Sequence, residues 1–313
     1  MYIITHCMDT VYECATETLA TILRKFSYVN ELNVMLPRKK RIYCGWPFPL
    51  ETQDYRPSSK PFNSLIEHAI AQIKSNDPIT TYFHNLDKFE QIYQSDEAAT
   101  HRYCIPNGFS ITKNLLSHCL GMQTGFPTGR PDITQNAAAV KQYIQFLDKE
   151  FTLVMIMEYF FESLVLLKRL MCWSLRDMLY KHVNVGNYTY KRIPPKGDNH
   201  NRHKQWSSAD YLLYDHFNRT FWQKIKAEGN DFFEEVNQFR KIQLKFSTFC
   251  NYIKENSLKD KVLNIEASEY NENFQVTYKD CEFLDKNLLD LLKAQYDNRT
   301  YVKDNSPDKG LMN

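Results

Sequence analysis

Apolar residues recur at helical spacing along most of this chain. After Thr16, residues Leu19, Ile22, Leu23 and Phe26 fall at i, i+3, i+4 and i+7, which predicts a helix capped by Thr16. A short apolar stretch, Tyr2-Ile3-Ile4, lies upstream. Strand, loop, then a helix opened by small hydroxyl residues is the build of a phosphate cradle, where N–H groups and the helix dipole face an anion. Such loops ordinarily aim a lysine at the bridging oxygens, yet the first Lys or Arg of this chain is Arg24. Residues 27–62 are rich in proline and read as loop. Helices are predicted over 63–74 and over 77–93, the second opened by Asp77 as N-cap and Pro78 at N1. "YCIPNGFSITKNLLSHCLGM" (103–122) reads as a turn leading into a helix.

The region 137–180 is the most regular. Val140, Tyr143, Ile144 and Leu147 mark a helix over 138–149. The nearly all-apolar run at 152–157 predicts a central parallel strand covered on both faces. Residues 161–173 read as helix, and "SLRD" (174–177) as a capping box opening a further helix through Tyr180. Helix, buried strand, helix points to a doubly wound α/β sheet. The polar segment 184–208 reads as a loop, with a lid or acceptor-binding loop as its functional reading. A long amphipathic helix follows over 229–256, with Phe232, Val236, Phe239, Phe246, Cys250 and Ile253 on its core face. The tail after Asn298 is polar.

Composition narrows the function classes. The chain has 313 residues, 43% hydrophobic, enough for one large or two small domains. We expect a principal domain over 1–260 and a partly disordered C-terminal extension over 261–313. Net charge is +2, which gives no basic excess for a nucleic-acid partner. No apolar run approaches the roughly 20 residues that span a bilayer, and no signal-peptide pattern is visible. The eight cysteines form no CxxC pair, so zinc is not expected. They read as buried thiols or, in an oxidising lumen, as one or two disulfides. His84, His101, His118, His200 and His203 show no metal-ligand spacing. Glycosylation sequons stand at Asn187, Asn218 and Asn298; Asn218 reads as a polar turn before a helix at Phe221-Trp222.

Four ordered segments carry a family resemblance: "CGWPFPLETQDYRP", "PNGFSITKNLLSHCLGM", "EYFFESLVLLKRLMCWSLRDMLY" and "YLLYDHFNRTFWQKI". Together they resemble the galactosylceramide sulfotransferase, or galactose-3-O-sulfotransferase, family over roughly residues 13–255. The resemblance implies a P-loop-like α/β fold with a central parallel sheet flanked by helices. It implies transfer of sulfate from PAPS to the 3-hydroxyl of galactose on a glycolipid or glycoprotein, without a metal. It implies a Golgi membrane protein facing the lumen, held by an anchor that this chain does not contain.

Against that family the opening helix is incomplete. The family's 5′-phosphosulfate loop resembles Lys-Thr-His-Lys followed by small residues and the helix. One alignment puts Glu13 where the second lysine belongs; another puts Cys7 there. No Arg-Asp-Pro or Arg-Glu-Pro triplet for a 3′-phosphate occurs, and a family segment is missing after "FNSLIEHAI". The N-terminal part therefore reads as incomplete, as in a pseudoenzyme that still binds glycans or a truncated gene model. A P-loop kinase is disfavoured because GxxxxGK[ST] is absent.

By resemblance His68 is the general base toward the galactose hydroxyl, or an ordinary helix histidine. Thr16 and Thr18 can donate to the 5′-phosphate or simply cap the helix. Glu158 and Glu162 flank the end of the predicted strand, where α/β sheets place ligands, and can bond sugar hydroxyls or stand exposed. Phe161 replaces an Asp of the family motif.

Overall fold

A computed structural model describes residues 16–30, 77–95, 108–110, 112–181, 196–286 and 288–298. Its secondary structure is mostly helical, with one two-stranded sheet among the described residues. The chain divides into two compact units, one of residues 1–16, 39–170 and 184–236, the other of 17–38, 171–183 and 237–313. The predicted helix over 63–74 lies outside the described residues.

α1 (Thr16–Val29) belongs to the second unit apart from its first residue, and the first unit continues with α2 (Pro78–His84) and α3 (Leu86–Gln94). Asp77 caps α2 by accepting the Thr80 N–H at 3.0 Å, with Pro78 in the first turn, as the Asp-Pro pair predicts. The expected single helix over 77–93 is broken at Asn85. Its N–H turns back to the Tyr82 carbonyl, and its extended φ of −133° starts a second helix. α4 (Leu115–Cys119) and α5 (Ala137–Glu150) follow. Asn136 caps α5, its side chain accepting from Ala138 and Ala139. Val140, Ile144 and Leu147 of α5 pack against Ala209, Leu213 and Phe217 of α8 (Ser208–Ala227). These are i, i+4 stripes on two helices, so the apolar spacing read from sequence is the interface itself.

The run 152–157 is not the central parallel strand that its apolarity predicts. Residues 152–156 lie in no ladder, and Met157–Tyr159 forms a 3₁₀ turn leading into α6 (Phe160–Met171). The reason lies in its backbone partners. Ser163 of α6, fully buried, donates from Oγ to the Ile156 carbonyl and accepts the Ile156 N–H, both at 3.0 Å. A side chain thus takes up the groups that a neighbouring strand would have taken. The segment is covered unevenly, and at its two ends it meets solvent. Phe151 and Val154 meet the α5–α8 core, while Thr152 is exposed and Met157 stays 42% exposed. Nor is 184–208 loop throughout: α7 (Asp198–Trp206) occupies its second half.

The second unit holds α1 (Thr16–Val29), the turns at 174–178, most of α9 (Phe232–Glu255), strands β1 (Val262–Ile265) and β2 (Phe274–Thr277), then α10 (Tyr278–Phe283) and α11 (Leu288–Asn298). β1 and β2 pair antiparallel, with Val262 opposite Thr277 and Ile265 opposite Phe274. On α1, Leu19 and Ile22 are buried and Phe26 stacks on Trp173 at 3.9 Å between ring centres. "SLRD" keeps its reciprocal hydrogen bonds, the Ser174 N–H to Asp177 and the Asp177 N–H to Ser174, but closes turns rather than a helix.

Lys25 of α1 donates to the carbonyls of Arg176 and Leu179, at 3.0 and 2.7 Å. Burial lowers its pKa from 10.5 to about 8, opposed by Asp177 and Asp280. The unfolded chain therefore holds a proton that the folded one gives up between pH 8 and 10.5, so this group makes stability rise with pH through that window and contributes no slope below it. Urea unfolding from pH 7 to 10.5 is expected to show that rise, and Lys25→Met to remove it relative to the unsubstituted chain.

A disulfide joins Cys250 of α9 to Cys281 of α10, 31 residues apart. Loop closure of that length stabilises by about 3–4 kcal/mol in the chain-entropy account. The paired Cys250→Ser/Cys281→Ser variant is expected to lose about that much in denaturant titration, and reduction of the unsubstituted chain to reproduce the loss. Among the described residues, no helix is long and apolar enough to cross a membrane.

Candidate acceptor-binding site

Two of the four quoted segments are locked together by reciprocal helix capping. Asn114 sits in the left-handed region at φ 51°, almost fully buried. Asn is among the few side chains that take this conformation readily. From there its Oδ1 accepts the N–H groups of Ala209 and Asp210, at 3.0 and 3.4 Å, in the first turn of α8. Asp210 returns the bond: its carboxylate accepts the N–H groups of Leu116 and Ser117, at 3.2 and 2.7 Å, in the first turn of α4. Each helix mouth is satisfied by a side chain of the other. Burial pushes the Asp210 carboxyl above its ordinary range, and the Ser117 and Leu116 donors hold it down in part.

Ser207 donates to the Thr112 carbonyl at 3.0 Å, and the Trp206 indole N–H to the Thr112 hydroxyl at 3.2 Å. The Thr112 hydroxyl donates to Glu90 of α3 at 3.0 Å. His118 of α4 shares a 2.6 Å bond with Thr124 and packs edge-on against Phe109 and Phe126; burial lowers its pKa. This network is scaffold: it fixes where α8 starts, and hence which way α8 presents its next face.

That face carries the candidate site. Leu213, Phe217 and Phe221 point into the core, so Tyr214, Asn218 and Trp222 form the adjoining stripe at i, i+4 and i+8. Glu158, exposed at the end of the 152–157 segment, bears on Tyr214. The Tyr214 hydroxyl is pushed above its ordinary range by burial first and by the Glu158 charge next. Tyr159 meets Trp222 edge-on at 4.7 Å and lies near-parallel to Phe221 at 6.1 Å. Lys224 anchors the segment by donating to the Thr152 carbonyl at 2.7 Å. A carboxylate beside half-buried aromatic rings has the chemistry for a sugar: ring faces for its C–H surface, an anion for its hydroxyls.

Of the sequence-predicted site residues, Glu158 falls on this face. Glu162 lies in the first turn of α6, half-buried. Thr16 and Thr18 lie in the first turn of α1, as the cradle pattern predicts. His68 and Asn187 lie outside the described residues, and Asn298 ends α11. Asn218 is not in a turn but in the middle of α8, its Oδ1 buried and without a hydrogen-bond partner. Tyr214, Trp222 and Tyr159 were missed by sequence reasoning. The signal was there: the 213, 217, 221 core stripe places 214 and 222 one step round the helix.

The mouth of α1 carries little charge for a nucleotide. Its first cations are Arg24 and Lys25, eight and nine residues past Thr16, roughly 12 Å along the axis at 1.5 Å per residue. Lys25 is committed to the two carbonyls above. The described residues do not fit PAPS at this helix mouth. Nor do they contain a group of three His, Cys, Asp or Glu side chains placed to hold a metal.

Comparison with known proteins places three of the four quoted segments, those at 106–122, 158–180 and 211–225. A family model described as galactose-3-O-sulfotransferase matches residues 74–279. Human galactosylceramide sulfotransferase is 29% identical over 279 residues, covering 76% of this chain and 62% of that protein. Mouse galactose-3-O-sulfotransferase 2 is 26% identical over 274 residues, covering 76% and 68%. Bovine galactosylceramide sulfotransferase is 31% identical over 190 residues, covering 59% and 42%. The chain thus spans about 62% of the length of the human relative. No solved structure matches it.

Proposed function

Because the chain belongs to the galactose-3-O-sulfotransferase family, we propose that its acceptor is the terminal galactose of a glycolipid or glycoprotein glycan, with PAPS as the sulfate donor of the reaction. The observation that carries the acceptor half is the edge-on Tyr159–Trp222 pair, with the exposed carboxylate of Glu158 next to Tyr159 in the chain. Glu158 accepts from galactose hydroxyls, and the indole of Trp222 covers the C–H face of the ring. Glu162 supports the same acceptor from α6, and His68 takes the proton of the 3-hydroxyl.

The donor half is the weaker one. Thr16 and Thr18 offer hydroxyls and helix-mouth N–H groups, with Glu13 where the family carries lysine. The match of the family model begins only at residue 74, downstream of that loop. A second reading follows from this departure, a galactose-binding homologue that transfers no sulfate. The domain belonging to this function is placed over 1–260, with its parallel sheet formed outside 152–157. The location proposed is the Golgi lumen, with attachment through a membrane anchor and glycans on Asn187 or Asn298. The Cys250–Cys281 disulfide supports an oxidising compartment.

Trp222→Ala and Glu158→Gln are each expected to weaken binding of methyl β-galactoside about tenfold, or about 1.4 kcal/mol, with the unfolding midpoint unchanged in Glu158→Gln, whose side chain is exposed, and lowered in Trp222→Ala, which also loses the Tyr159 contact. Unaltered affinity in both variants would remove the acceptor site from this face.

A further inference from the structure

The second unit contains a cavity of about 240 Å³ beside α1, lined by Thr21, Arg24, Lys181, Asp285, Lys286 and Leu284. We propose that it binds a small oxyanion group, a sulfate or phosphate monoester. Three of its lining side chains are cationic and one is anionic. They come from separate stretches of chain: Arg24 from α1, Lys181 from the segment after the 174–178 turns, and Lys286 from the link between α10 and α11. Asp285 already acts as the stand-in anion. Its carboxylate pairs with Lys181 on one oxygen and with Lys254 of α9, at 2.8 Å, on the other. Buried Leu284 supplies an apolar wall. The volume falls below the roughly 300–1,000 Å³ of drug-sized ligand sites, which suits a single charged group with a small substituent.

The cavity is distinct from the donor loop that the family resemblance implies. Thr21 and Arg24 lie five and eight residues beyond Thr16, one to two turns down α1 from its mouth. It is also independent of the galactose reading, because none of its residues belongs to the Glu158–Trp222 face. An incoming oxyanion competes with the Asp285 carboxylate for Lys181 and adds the charge of Lys286 and Arg24 on the same cavity wall. This gives an unusual sign. Removing the negative charge of Asp285 should strengthen binding, whereas removing lysines should weaken it.

The test is calorimetric titration of the full chain at low salt with inorganic phosphate, inorganic sulfate and galactose 3-sulfate. Saturable binding is expected, weakening as salt rises. Lys181→Gln/Lys286→Gln should reduce affinity at least tenfold and Asp285→Asn should raise it several-fold, with circular dichroism confirming that both remain folded. Glu158→Gln should leave the binding of inorganic sulfate and phosphate unchanged, which separates this site from the acceptor face. Tighter binding of galactose 3-sulfate than of sulfate assigns the site to a sugar ester, and equal binding to the free anion; either supports the proposal. Absence of saturable binding by all three probes, indifference to the double lysine substitution, or weaker binding by Asp285→Asn would overturn it.

Discussion

Arg169→Ala is expected to cost about 3–5 kcal/mol of stability, the range for breaking a buried ion pair by removing one partner. Arg169 ends α6 and donates through Nε to Glu235, through one terminal nitrogen to Glu228 and through the other to Asp231, at 2.6, 3.3 and 2.6 Å. Glu235 is only 2% exposed, and its second oxygen takes Lys168 at 2.6 Å. Deleting the guanidinium leaves a buried carboxylate with half its donors, beside two other carboxylates whose repulsion is no longer offset. Stability in urea should fall by that amount for Arg169→Ala and by less for the paired Arg169→Met/Glu235→Leu, in which the buried carboxylate goes with its partner and Lys168, 16% exposed, is the cation left without it. A loss below about 1 kcal/mol for Arg169→Ala would show that the cluster behaves as a surface pair.

Affinity for the donor nucleotide is expected to lie two to four decades below that of a site holding both phosphate cations. Helix-mouth N–H groups at Thr16 retain a dipole attraction of order 0.3–1 kcal/mol. The missing lysine and arginine forfeit charge-assisted bonds of about 1.5–3 kcal/mol each, together roughly 3–6 kcal/mol. In the alignment that puts Glu13 at the position of the lysine, rather than Cys7, its charge adds repulsion. A single Glu13→Lys change should recover only part of the loss, because the arginine of the 3′-phosphate strand is absent too. Calorimetric titration with the desulfated nucleotide measures this directly, and micromolar affinity in the unsubstituted chain would mean that other residues supply the charge.

What the sequence made legible was its helical part. The 19, 22, 26 spacing, the Asp77-Pro78 start, the 140, 144, 147 stripe and the 232–253 face all rest on local periodicity, and each is where it was expected. The 152–157 run was misread because apolarity on a short segment does not distinguish a ladder from a segment pinned by one serine; Ser163 lies seven residues away and gives no pattern. α7 was hidden by its polar composition, since nothing apolar marks a face on "DNHNRHKQW". Asn218 looked like a turn because its neighbours are polar, although Phe217 and Phe221 on either side continue a helical stripe. On the candidate face, Glu158 is legible from its place after an apolar run. Tyr214 and Trp222 are not, because their value lies in a tertiary contact with residues more than fifty positions away. Thr16 and Thr18 are placed at a helix start, as the apolar spacing after Thr16 implies, and the residues that would complete the chemistry of that mouth lie outside the described ones.

The central claim is that this chain presents a galactose-specific acceptor face. Its most direct test is titration of the full chain with methyl β-galactoside and, in parallel, methyl β-glucoside, which differs only in the orientation of one hydroxyl. The account predicts saturable binding of the galactoside, at least tenfold tighter than the glucoside, with that preference lost in Glu158→Gln. Equal affinity for the two sugars, or no saturable binding of either, would contradict it.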